Sequence, residues 1–184
     1  MAASKKPLSG FRIGIDAGMG AEAPLQGKTN LKKVDGYMRM AEAMQNLKVA
    51  KVLSEQLDAL GAECVELFGS TPAAPEERLG QARGKGLDFI VSVHHSYSVT
   101  RTDNLTAAYY TPGDDSASES LARRVNESLS VGLGLPATGA VAAPNLLTNL
   151  QDTPVAVVIC SLLSNADEFL HAVNPDEDYA EREG

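Results

Sequence analysis

Two nearly unbroken apolar runs, "LDFIVSVHH" (87–95) and "TPVAVVICSLL" (153–163), constrain the fold of this chain more than anything else in it. Neither is long enough to span a bilayer, and both are rich in β-branched residues. Such runs read as strands covered on both faces, the situation of strands inside a parallel sheet. Shorter strand-like stretches accompany them. "FRIGID" alternates apolar and polar residues and breaks into the Gly-rich "AGMG", while "ECVELF" and "LTAAYY" are brief and apolar.

Between these stretches the period changes to that of a helix. From Ala41 to Leu60, residues Leu47, Ala50, Leu53, Leu57 and Leu60 recur at helical spacing and Gly61 supplies a stop. The stretch before it, "APLQGKTNLKKVDGY", has no period and reads as a loop. "PEERLGQARGKG" opens with Pro75 and two glutamates and reads as a short helix. "SASESLARRVNESLSVGLG" places Leu121, Val125 and Leu129 on one stripe, and "SNADEFLHAV" reads as a short capped helix starting near Ser164 or Asn165. Strands alternating with helices define an α/β fold: one domain, a mostly parallel twisted sheet, helices on both faces. The domain is read as residues 11–173, with 1–10 as an N-terminal extension and 174–184 as an acidic tail.

Composition narrows the function classes. A formal charge of -8 over 184 residues, with no dense run of Lys and Arg, excludes binding to a phosphate backbone. Cys64 and Cys160 are too few for a disulfide framework or a CxxC metal site and read as buried thiols. No apolar stretch follows Lys5 and Lys6, so no secretory signal is read there, and no run reaches membrane-spanning length. These readings place the protein in the cytoplasm if the chain is complete, and leave the cell envelope open if it is part of a longer one.

In α/β sheets ligands collect beyond the carboxyl ends of the strands. "DAGMG", "HHS" and "SLLSN" all fall at such ends, which makes Asp16, His95 and Asn165 candidate binding residues. His94 and His95 are adjacent on a strand and should face opposite ways, so they cannot both serve one site. Taken alone, His94 reads as a strand-end polar group and Glu42 as a helix carboxylate near a helix N-terminus.

The strand ends carry a resemblance. "IGIDAGMG", "EAMQNLKVAKVLSEQLDALGAECVEL", "PEERLGQARGKGLDFIVSVHHS" and "DTPVAVVICSLLSNADE" follow one another in the order and spacing of the zinc-dependent N-acetylmuramoyl-L-alanine amidases. That family cleaves the bond between the lactyl group of muramic acid and the stem peptide of peptidoglycan. The resemblance implies an amidase-like α/β fold and a zinc ion held by His, Glu and His, with a Glu on the last strand as general base. Carried over, the Glu ligand falls on Glu42 and the second His ligand on His94. The first-ligand position holds Met19 and the general-base position Ile159. The resemblance also implies that Asp16 lies near the metal. Glu22 and His95 are the nearest substitutes in sequence, but each would need an unusual backbone to reach the metal.

The chain is therefore expected to be an amidase-like protein with no catalytic residue at the general-base position, weak zinc binding, and a binding or regulatory role. Its ligand would be a peptidoglycan fragment or a protein partner. The alternatives are an active zinc amidase with a rearranged metal site, and an assembly subunit that uses the scaffold. Glu42 and His94 are expected at the rim, where alanine in place of either would leave the fold intact.

Overall fold

Strand β1 (Arg12–Ala17) is the pivot of the molecule: it pairs in parallel with β2 (Glu63–Glu66) on one side and β3 (Phe89–Ser96) on the other. The computed structural model describes residues 6–18, 32–68, 75–98, 100, 102–110, 116–143, 153–163 and 165. Beyond β3 the sheet continues with β6 (Val155–Leu162), β4 (Thr106–Tyr110) and β5 (Ala137–Ala142), in the order β2-β1-β3-β6-β4-β5. β3 and β6 run parallel, β4 is antiparallel to β6, and β5 is parallel to β4. Four strands thus run one way and two the other, and the carboxyl ends of β1, β3 and β6 share one edge.

Two long helices cover one face. In α1 (Lys32–Ala59), Val49 and Ala50 are buried against Ile13, Ile15, Val91 and Val93; in α3 (Ser116–Leu133), Ala122, Leu129 and Leu133 belong to the same core. Gly61 closes α1 at φ 99°, with Ala62 N donating to Leu57 O (3.0 Å) and Gly61 N to Asp58 O (2.9 Å). This paired arrangement past a left-handed Gly satisfies carbonyls the helix leaves open. The opposite face carries a second core of Leu67, Ala82, Leu87, Ile90, Val155 and Val157. The short helix α2 (Pro75–Gly80) and the turns after it lie on that side. Gly14 allows the close packing there, because a β-carbon on it would come within 2.8 Å of Leu87 and 2.9 Å of Ile90. Leu8, in the N-terminal extension, packs onto the first core, and its amide donates to Leu60 O at 3.1 Å.

The expected α/β sheet with helices on both faces is present, with two departures. Helix α1 begins at Lys32, inside the stretch read as a loop, because its first turns carry no apolar period and contain Gly36. The strand β5 was not expected: "ATGAVA" is an edge strand with its first and last pairs of residues exposed, so no burial pattern marks it. The run of helix-like residues after Ser164 and the acidic tail lie outside the described residues, Asn165 excepted. Among the described residues, no helix is long and apolar enough to cross a membrane.

Candidate functional site at the strand ends

Alternation along β3 divides its last residues between two environments. His94 and Ser92 face the α2 side, while His95 faces α1. His95 is 1% exposed, and its Nδ1 lies 2.6 Å from Asn46 Oδ1. Asn46, itself buried, donates from Nδ2 to the carbonyl of Gly18 at 2.8 Å. The turn after β1 is thereby fixed to α1, and the Gly18 amide also donates to Val93 O at 2.7 Å.

On the other face a chain of polar groups runs through the interior. Arg78, delivered by α2, donates from Nε to Asp16 Oδ1 at 2.8 Å, and both side chains are almost wholly buried. Ser92 Oγ donates to Asp16 Oδ2 at 2.6 Å and lies 3.0 Å from His94 Nε2. A buried carboxylate needs such partners, since an unpaired charge away from water is costly. His94 remains partly exposed, but the burial of its ring is the first cause of an imidazole pKa lowered to about 4. The charge of Asp16 opposes this, while Arg78 and His95 push the same way. Its ring is therefore neutral at ordinary pH.

Gly18 closes over this ring. A β-carbon built on it would fall closer than 3.0 Å to Cε1, Nδ1 and Nε2 of His94. Beside His94, in register on the neighbouring strand, stands Ile159, partly exposed on the same face. Cys160 turns the other way into the core beneath α1 and α3, as strand alternation requires.

The predicted site residues separate into groups. Asp16, His94 and Ile159 share one face. His95 and Asp16, expected to bind a ligand, are buried, His95 beside Asn46 and Asp16 between Arg78 and Ser92. Asn165 is partly exposed, with its amide nitrogen donating to Leu162 O at 2.9 Å and Nδ2 to Thr102 O at 3.4 Å. Glu42 lies one helical turn before Asn46 and is 4% exposed, which corrects its expected place at the rim. Met19 and Glu22 lie outside the described residues. Arg78, Ser92, Asn46 and Gly18 were not singled out from the sequence. The one available signal was Asp16 at the end of an apolar strand, a carboxylate whose burial demands a cation.

His94 and Ile159 stand near the carboxyl ends of parallel strands, where α/β sheets commonly place ligands. Comparison names the family. The model of the N-acetylmuramoyl-L-alanine amidase family matches residues 13–181, and the chain belongs to that family. No curated protein sequence matches it. Its fold is similar to the catalytic domain of the amidase CwlV from Bacillus (Paenibacillus) polymyxa var. colistinus, with a TM-score of 0.74 and 23% identity over 94% of this chain and 91% of that one. It is also similar to an N-acetylmuramoyl-L-alanine amidase from Clostridium difficile 630 (TM-score 0.77, 19% identity, 94% and 90% covered). A third likeness is to the amidase Ami1 from Mycobacterium smegmatis (TM-score 0.74, 19% identity, 96% and 92% covered).

Proposed function

We propose that this chain is a non-hydrolytic member of the amidase family, which uses the surface at the strand ends to bind a peptidoglycan fragment or a protein partner. The observation that carries the reading is the pairing of His94 with Ile159. Family resemblance puts a proton-shuttling Glu at position 159. An isoleucine there can neither move a proton nor stabilise a developing charge. It makes that part of the strand-end surface apolar beside the His94 imidazole.

The donor set supports the same reading. The family implies zinc held by three protein ligands, and the matching positions of this chain are Met19, Glu42 and His94. A thioether is a soft, neutral donor that suits Cu(I) better than Zn²⁺. This set does not fit the family's zinc centre. Glu42 and His94 are what support the alternative of an active enzyme with a rearranged site. A protein partner is supported by one structural neighbour, the CwlD amidase from Clostridioides difficile, whose structure is of a complex with the GerS lipoprotein (18% identity, TM-score 0.75).

The test is to mix the protein with a muropeptide that carries an intact lactyl–L-alanine amide. Calorimetry follows binding and the appearance of free alanine amino groups follows cleavage. Binding without cleavage is expected. Turnover that disappears in His94→Ala would overturn the reading in favour of an active amidase.

A further inference from the structure

Protons in the chain of groups below His94 can be assigned because each neighbour leaves one choice. Asp16 is paired with Arg78, and a carboxylate only accepts hydrogen bonds. The single proton of the Ser92 hydroxyl is therefore directed at Asp16 Oδ2, 2.6 Å away. Ser92 Oγ then has only lone pairs to offer His94 Nε2 at 3.0 Å, so Nε2 must donate. A neutral imidazole has one N–H, which leaves the lone pair on Nδ1. On the opposite face the logic runs the other way. Asn46 gives its amide N–H to Gly18 O, so its Oδ1 accepts from His95 Nδ1. His95 thus carries a proton on Nδ1, the nitrogen that is bare in His94.

We propose that Ser92, anchored by Asp16 and Arg78, is a positioning residue that fixes His94 as its Nε2–H tautomer, leaving Nδ1 as the acceptor edge the ring offers a ligand at the strand ends. Ordering of a functional histidine through its second nitrogen is a general device, because the hydrogen bond made at one nitrogen decides the state of the other. The ligand role rests on the function proposed above, whereas the tautomer does not.

The experiment is a long-range ¹H–¹⁵N spectrum of the imidazoles in the ¹⁵N-labelled full chain. It is recorded at about pH 8, above the ordinary histidine pKa of about 6.5. His94→Ala and His95→Ala assign the signals. In the parent protein, His94 should show a protonated Nε2 and a bare Nδ1, and His95 a protonated Nδ1. Ser92→Ala should convert the His94 pattern to an average of both tautomers while His95 stays unchanged, and Ser92→Thr should restore a single tautomer. A protonated Nδ1 on His94 in the parent would overturn the proposal, whether or not Ser92→Ala folds. So would a folded Ser92→Ala protein with an unaltered His94 pattern. Muropeptide binding, measured alongside, separates the two claims: its absence with the predicted tautomer present contradicts the peptidoglycan-fragment form of the proposed function and leaves the tautomer assignment standing.

Discussion

Gly18 packs directly against the imidazole of His94, with no room between them for a β-carbon. Gly18→Ala should therefore force the ring out of its place or shift the turn, at a cost of about 1–3 kcal/mol, the usual range for overpacking. The effect should depend on His94. In His94→Ala the same Gly18→Ala change should cost much less, giving a coupling of at least about 1 kcal/mol in a double-mutant cycle read by denaturant unfolding. Additive effects would show that the clash lies elsewhere.

The ion pair of Arg78 and Asp16 is the most deeply buried charge interaction described, with side-chain exposures of 2% and 0%. Removing the cation strands the carboxylate. Arg78→Met is expected to cost about 3–5 kcal/mol, the range for a buried pair broken on one side. Urea unfolding measures it. A loss below about 1 kcal/mol would mean that Asp16 is otherwise compensated.

Cys64 offers a pH test away from the site. Burial first, then the charge of Asp58, raises its thiol pKa from 9.0 to about 11. The folded state therefore holds the proton more tightly than the unfolded chain. Its contribution to stability is fully present below pH 9.0 and is lost as pH rises towards about 11. Alkylation of Cys64 at about pH 8 should be slower than that of an ordinary thiol of pKa about 8.5. Asp58→Asn should speed it. An equal rate in the parent and in Asp58→Asn would show that the aspartate does not control the thiol.

Much of this was legible in the sequence, and the reasons differ by element. β3 and β6 announce themselves because strands buried on both faces are apolar throughout, and the opposite facing of His94 and His95 follows from strand alternation alone. β5 carries no such mark, because an exposed edge strand is held by backbone pairing with β4 and not by a buried face. The early start of α1 was hidden for a related reason. At the site, the positions of His94 and Ile159 were readable from motif order, but Arg78 was not. Nothing local distinguishes an arginine that reaches under the sheet to Asp16, 62 residues away, from one left in solvent. Glu42 was misplaced at the rim because helix periodicity gives the buried face only once the helix start is known.

Repair tests the assignment of the site. Met19→His should add a third ligand to Glu42 and His94, seen as a gain in zinc affinity. Adding Ile159→Glu should place a carboxylate beside His94, and such a base typically contributes about 10²- to 10⁴-fold in rate. Zinc should raise the melting temperature of the double variant more than that of the parent, and any amidase activity should need both changes. Equal zinc affinity of the parent and of Met19→His would remove residue 19 from the metal position.

On the proposed function, the amidase scaffold persists here without the amidase's metal chemistry. Zinc per chain, measured in protein purified without chelator and then dialysed, tests it most directly. Well under one zinc per chain and an unchanged melting temperature on adding a chelator are expected. Near-stoichiometric zinc that survives dialysis, with a melting temperature that falls when it is chelated, would contradict it.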